Sequence, residues 1–183
     1  MTSAKVDVVN IVAVGEVEPE IDVEQVALDL DLPVSNFDPD YNATFLQFDQ
    51  DGELIIMYTS GKYIIRGGNK FEETYELNEL FLSKLSNLGI EINNPTIEIK
   101  NVVSVGDLET EVKLEPLAVS LGLEKTEYEP EQFPGMIYRP TESRCVLIIF
   151  ASGKVVITAG TSEKEDQRVF DILKRKIDDL NFV

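Results

Sequence analysis

The chain repeats itself. Asn10-Ile11-Val12-Ala13-Val14-Gly15 returns as Asn101-Val102-Val103-Ser104-Val105-Gly106, 91 positions later. Val26-Ala27-Leu28 returns as Leu117-Ala118-Val119, and Phe37-Asp38-Pro39-Asp40 as Tyr128-Glu129-Pro130-Glu131, at the same spacing of 91. Ser60-Gly61-Lys62 returns as Ser152-Gly153-Lys154 at a spacing of 92, so one residue has been inserted between these landmarks. A period this long, met twice in 183 residues, means two copies of one folding unit. The halves are 1–92 and 93–183, joined near Asn93-Asn94-Pro95. Two such halves in one chain predict pseudo-twofold symmetry, as in a dimer fused head to tail.

Each half reads the same way. A β-rich opening strand (Val6 to Val14; Thr96 to Val105) leads to a short helix (Val23 to Leu30; Leu114 to Leu121). A turn-rich segment with proline follows. Next come strands around Phe45-Leu46, Leu54 to Tyr58 and Tyr63 to Ile65, matched by Met136 to Arg139, Val146 to Phe150 and Val155 to Thr158. Gly61-Lys62 and Gly153-Lys154 read as hairpin turns. A longer helix closes each half, with apolar stripes Phe71, Tyr75, Leu82, Leu85 and Val169, Leu173, Ile177, Leu180. Leu54-Ile55-Ile56-Met57-Tyr58 and Val146-Leu147-Ile148-Ile149-Phe150 are apolar throughout, whereas a water-facing antiparallel strand alternates. With helices over one face only, the other face is an exposed apolar surface, which marks a binding site.

Composition removes several function classes. No histidine is present, which excludes Ser-His-Asp and Cys-His nucleophiles and the common histidine metal sites. No glycine-rich phosphate loop or metal-ligand cluster is apparent, so neither cofactor nor metal is expected and an enzyme is disfavoured; Gly67-Gly68 reads as a tight turn. Cys145 is the single cysteine, so an intrachain disulfide is impossible and a reducing cytoplasm fits. No run approaches the roughly 18 apolar residues of a membrane span, and Met1-Thr2-Ser3-Ala4-Lys5 lacks a signal-peptide apolar region. Asn42-Ala43-Thr44 matches a glycosylation sequon that has no meaning without export. The net charge of −18 argues against nucleic acid unless charge is segregated away from the ligand or the host keeps high internal salt.

The second half nevertheless resembles the archaeal TATA-box-binding protein family. The strings are Tyr128-Glu-Pro-Glu-Gln-Phe-Pro-Gly-Met-Ile-Tyr-Arg139, Leu147-Ile-Ile-Phe-Ala-Ser-Gly-Lys154 and Val155-Val-Ile-Thr158. Through the repeat the resemblance extends over nearly the whole chain. It implies an α+β saddle: a curved antiparallel sheet of two pseudo-symmetric halves, with four helices on the convex face and DNA on the underside. This family is itself a well-known example of minor-groove binding and kinking.

The resemblance assigns roles residue by residue. Asn10 and Asn101 match the family's paired asparagines, which donate to base acceptors, with Val12 and Val103 one strand period further on. Phe133 and Phe150 match the phenylalanines that wedge between base steps. Pro134, Val146, Ile148, Val156 and Thr158 line the same surface, joined by Tyr58, Lys62 and Ile64 from the first half. Arg139, Arg144 and Lys154 reach phosphates. Cys145, Leu147 and Ile149 point the opposite way, into the core. Glu129, Glu131 and Gln132 form the loop that docks the B-type transcription initiation factor, which brings RNA polymerase indirectly.

The first half departs from this pattern. Counted at 91, Asn42 stands where Phe133 does and Phe48 where Arg139 does; counted at 92, Tyr58 replaces Phe150 and Arg66 replaces Thr158. Phe45 offers a substitute ring only if its loop rearranges. Net charge is −13 over residues 1–91 and −5 over 92–183. Phosphate contacts are therefore expected mainly from the second half, with weak or asymmetric DNA binding. Two functions compete. One is an initiation factor that binds and bends double-stranded A·T-rich promoter DNA. The other is a regulator that keeps the fold and partner loop, binds DNA weakly and acts through protein contacts. An open apolar underside also predicts self-association without DNA.

Overall fold

The computed structural model describes residues 5–18 and 20–180, the side chain of Leu180 excepted. Among the described residues the chain forms ten strands and four α-helices. They divide into two compact units: Asn10–Lys100, and the described residues up to Val9 together with those from Asn101 onward.

The first unit is built from β1 (Asp7–Glu18), α1 (Val23–Asp29), β2 (Val34–Asp38), β3 (Ala43–Gln47), β4 (Leu54–Tyr58), β5 (Lys62–Arg66) and α2 (Phe71–Asn87). Its strands are antiparallel in the order β2-β3-β4-β5-β1. The second unit comprises β6 (Asn93–Asp107), α3 (Leu114–Leu121), a 3-10 turn (Leu123–Lys125), β7 (Thr126–Glu127), β8 (Gly135–Tyr138), β9 (Val146–Phe150), β10 (Lys154–Gly160) and α4 (Glu163–Leu180). Its order is β6-β10-β9-β8-β7, again antiparallel. The first residues of β1, Asp7 to Val9, belong to the second unit, and those of β6, Asn93 to Lys100, to the first.

Local chemistry starts and stops these elements. The Asp22 carboxylate accepts from the Gln25 N–H at 3.0 Å and caps α1. The hairpins turn on Gly61 (φ 84°) and Gly153 (φ 88°), in the left-handed region where a glycine costs nothing. Their N–H groups return to the Tyr58 and Phe150 carbonyls at 3.0 and 2.9 Å. The glycines of the repeated signature serve a different purpose. A methyl group on Gly15 would sit 2.1 Å from Tyr63 Cζ, and one on Gly106 2.4 Å from Phe170 Cε2. Each glycine lets a buried ring pack directly against the strand.

The all-apolar strands resolve into two faces. Ile55 and Met57 of β4 and Leu147 and Ile149 of β9 are fully buried, while Leu54, Tyr58, Val146, Ile148 and Phe150 are half-exposed. In the second unit the buried face joins Leu114, Leu117 and Leu121 of α3 to Val169, Phe170, Leu173 and Ile177 of α4, and includes Cys145. Side chains of this size each contribute roughly 1.5–3 kcal/mol by burial.

Three expectations need correction. The stripe on α2 is Thr74, Asn78, Phe81 and Leu85, and Tyr75 is exposed. Polar residues face the sheet because polar partners wait there: Tyr63 Oη donates to Asn78 Oδ1 at 2.7 Å, and Thr74 Oγ1 to Glu53 Oε1 at 2.7 Å. On α4, Val169, Leu173 and Ile177 are buried as expected, and the Leu180 side chain lies outside the described residues. The turn-rich segments contain edge strands, β2 and β7. Their polar residues hide them from periodicity, since an edge strand is half solvated. The opening strands also run further than expected, to Glu18 and Asp107.

Candidate nucleic-acid interface

Two asparagines are held by the same device. At the end of β10 the register slips between Ile157 and Gly160, leaving Ala159 at φ 65° in a bulge. Its N–H donates to Asn101 Oδ1 at 2.8 Å, and the Thr158 hydroxyl donates to the same oxygen at 3.2 Å. In the first unit Gly67 (φ 107°) follows β5, and its N–H donates to Asn10 Oδ1 at 3.1 Å. Because N–H groups must meet an acceptor, these contacts fix which end of each amide is oxygen. The NH2 ends of Asn10 and Asn101 therefore turn outward with both protons to donate. Beneath each bulge lies a carboxylate: Glu53 against Gly68 and Asp166 against Gly160, where a methyl group would meet its oxygen at 1.6 and 2.0 Å. Burial raises the pKa of both, that of Asp166 to about 6.

Around Asn101 the open face carries Val103, Val146, Ile148, Phe150, Val156 and Thr158, all half-exposed. Phe133 packs edge-to-face on Phe150, with centroids 6.0 Å apart, and is 41% exposed; Pro134 beside it is exposed. Gly135 makes this pair possible. A methyl group there would lie 2.7 Å from Phe133 Cε1, 2.8 Å from Ile148 Cγ2 and 3.1 Å from Phe150 Cε1. Around Asn10 the corresponding face carries Val12, Tyr58 and Ile64, half-exposed, with Lys62 exposed.

Sheet register corrects one alignment. Gly135 pairs with Phe150 across β8 and β9, and Ala43 pairs with Tyr58 across β3 and β4. Ala43 is therefore the counterpart of Gly135, and counting back two residues makes Tyr41, not Asn42, the counterpart of Phe133. The inserted residue lies in the loop before β8, earlier than the Ser-Gly-Lys landmarks alone reveal. Tyr41 is 71% exposed. The first unit thus carries an aromatic residue at both positions that correspond to Phe133 and Phe150, Tyr41 and Tyr58. By the same count Gln47 replaces Phe48 as the counterpart of Arg139, and Phe45 pairs with Ile56 as an ordinary strand residue.

The cations are distributed unlike the expectation. Arg139 is paired with Glu127 (2.7 Å), Lys154 with Asp107 (3.3 Å) and Arg144 with Glu165 (3.6 Å) and the Thr161 hydroxyl. In the acidic first unit Lys62 and Arg66 are exposed with no carboxylate partner among the described residues. Exposed ion pairs are worth only about 0–1 kcal/mol, so the paired cations remain available to a stronger anion.

The geometry has counterparts in known proteins. The model of the family described as transcription factor TFIID, or TATA-binding protein, matches twice, at residues 5–88 and 96–180. The chain belongs to the TATA-binding protein family. It is 42% identical to TATA-box-binding protein C of Halobacterium salinarum, over 96% of this chain and 98% of that protein. It is 35% identical to the TATA-box-binding protein of Thermoplasma volcanium, over 98% and 97%. The solved Methanococcus jannaschii TBP superposes with a TM-score of 0.83 at 33% identity, covering 96% of this chain and 99% of that one. Antiparallel strands with four helices place the chain in the α+β class, with the TATA-binding protein fold.

In this TATA-binding protein family member, the loop holding Glu129, Glu131 and Gln132 is closed by hydrogen bonds to Glu129. The Glu129 carbonyl accepts from the N–H of Gln132 and of Phe133 at 2.9 and 3.0 Å, and its carboxylate accepts from the Gln132 amide. Glu129 thus sets the turn that presents Phe133, while Glu131 is exposed. Sequence reasoning missed Tyr41, Gly67, Gly135 and Ala159. Only Gly67 and Gly135 left a signal, as glycines beside an expected strand. Among the described residues no cluster of metal-ligating side chains occurs, and no helix is long and apolar enough to cross a membrane.

Proposed function

We propose that this protein is a transcription initiation factor that binds double-stranded A·T-rich promoter DNA through the minor groove and bends it. The observation that carries the reading is the anchored asparagine, present once in each unit and set in a half-exposed apolar face. A·T pairs show the minor groove only acceptors, adenine N3 and thymine O2, whereas G·C adds the guanine amino donor. An outward NH2 with its own oxygen already occupied can donate and cannot accept, so it meets an A·T edge and is opposed by guanine N2. The apolar residues around it suit a groove floor with few polar groups to satisfy.

Phe133 and Phe150 in one half, Tyr41 and Tyr58 in the other, insert between base steps at the two ends of the element. Unstacking costs a few kcal/mol per step, a general figure to which this family itself contributed. The apolar faces offset that cost by surface removed from water. Each repeat, 1–92 and 93–183, supplies half of the reading surface. The loop at Glu129 and Glu131 docks a B-type initiation factor, which in turn recruits RNA polymerase, and the protein works in the cytoplasm without catalysing a reaction. The regulator reading rested on Asn42, on Arg66 and on the net charge of −13 in the first half; the pairing of Ala43 with Tyr58 supports Tyr41, not Asn42, as the counterpart of Phe133.

The test uses inosine. An I·C pair keeps the major-groove face of G·C but lacks the amino group, so its minor groove resembles A·T. An A·T-rich element should be bound, its G·C replacement refused, and its I·C replacement bound nearly as well as the original. Refusal of the I·C duplex together with G·C would place recognition outside the minor groove.

A further inference from the structure

The two units differ most at one position of the open face. Thr158 in the second unit has Arg66 as its counterpart in the first. Both lie at the strand end next to the bulge that anchors an asparagine. Arg66 pairs across the sheet with Val12 on β1 and with Leu54 on β4, so the three side chains stand abreast on one face. Val12 and Leu54 are half-exposed and apolar, and Arg66 itself is exposed. It has no hydrogen-bonding or ionic partner among the described residues, in a half-chain of net charge −13 where carboxylates are plentiful. Lys70, by contrast, holds Glu73 at 2.5 Å. The following residue, Gly67, is the one whose N–H anchors Asn10.

We propose that Arg66 is a specificity-determining residue that restricts the first half-site to A·T pairs and thereby fixes one orientation of the protein on an asymmetric element. The inference rests on the minor-groove reading given above. A guanidinium is all donor, with five N–H groups and no acceptor. Beside Asn10 it makes the first half of the surface donor-only, which matches A·T edges and opposes the guanine amino group. Thr158 is different. Its hydroxyl can donate or accept, and in the free protein it donates to Asn101 Oδ1, so it tolerates either pair type. The first half therefore opposes guanine with Asn10 and Arg66 and the second with Asn101 alone, so the first is the stricter and a duplex with unequal halves is read in one direction.

The experiment uses the full chain with a DNA-cleaving reagent tethered at S60C, in the turn between β4 and β5; Cys145 is buried and does not compete. The duplex carries A·T pairs in one half-site and mixed pairs in the other. The parent protein should direct cleavage to the A·T half with about tenfold preference. R66T, which copies the residue at position 158, should cut both halves equally, and its log–log salt slope should fall in magnitude by about one. R66K keeps the charge as a point donor and should preserve the slope while losing part of the bias. If R66T weakens binding yet leaves the bias intact, Arg66 only touches phosphate and the inference is overturned; an unchanged R66T overturns it as well. Failure of the parent protein to bind the duplex at all sinks the minor-groove reading itself, an outcome distinct from binding without bias.

Discussion

At the scale of single residues, recognition depends on side chains whose polar ends are already committed. Asn101 has two donors on its oxygen and Asn10 has one, which turns each NH2 outward. N101D would put a carboxylate against the Ala159 N–H and leave an acceptor facing groove acceptors. A lost, opposed contact of this kind costs about 1–3 kcal/mol, so A·T affinity should fall tenfold or more in a duplex titration. G135A drives a methyl group into Phe133, Ile148 and Phe150 at once. Rings can move where backbone cannot, so the fold should survive while the bend is reduced, as read by end-to-end distance on the bound duplex. Tyr41 and Asn42 offer a sharper comparison: Y41A should reduce the bend and N42A should not. The asparagines stand out in the sequence because the repeat places them at a fixed spacing inside matching strings, and the family resemblance supplied the role expected of them. Tyr41 was not, because the single identity between Asp40 and Ser60 is Ile56 with Ile148 at 92, which leaves the change of spacing from 91 to 92 open anywhere before residue 56. Only hydrogen-bond register settles that, by pairing Ala43 with Tyr58.

Elements teach a related lesson about polar residues in cores. Strands β4 and β9 and helix α3 were legible to the residue, since continuous apolar runs and a short amphipathic pattern mark their limits. The buried face of α2 was not, because periodicity counts hydrophobes and this face includes Thr74 and Asn78. Tyr63 Oη reaches Asn78 from a position fully buried under the helix, with only a longer 3.5 Å contact to the Thr96 carbonyl besides. N78A leaves that hydroxyl nearly unpartnered and should cost roughly 1–3 kcal/mol in urea denaturation, and the double variant Y63F/N78A should recover part of it. Asp166 ties the start of α4 to β6, accepting from the Ser104 hydroxyl at 2.5 Å. Burial raises its pKa from 3.8 to about 6, so the folded state holds a proton that the unfolded state has released. Its contribution to stability is therefore complete below about pH 4 and is lost as pH rises through about 6. D166N, neutral throughout, should gain stability relative to the parent between pH 4 and 7, by on the order of 2 kcal/mol.

The whole molecule has to bring a chain of net charge −18 onto a polyanion. On the open face it mixes cations with carboxylates: Glu16 stands directly across from Lys62, and Asp107 beside Lys154. Lys62 and Arg66 stand unpaired on the open face of the first unit, and three further cations stand beside carboxylates in the second. With two unengaged cations the salt slope of DNA binding should be shallow, near −2 on a log–log plot. Screening also weakens the repulsion between the remaining carboxylates and phosphate, which flattens the dependence further. Specific binding should therefore persist at salt concentrations that strip ordinary basic DNA-binding proteins. The architecture was legible from the duplicated sequence, but this charge arrangement was not, because composition records how many charges there are and not which side chains they face. The most direct test of the account is the distance between fluorophores at the two ends of an A·T-rich duplex, followed as protein is added across a salt series, with a G·C-rich duplex beside it. The ends should draw together on the A·T-rich duplex alone, and the shortened distance should hold as salt rises. Binding that leaves the duplex straight, or bends both duplexes alike, would contradict it.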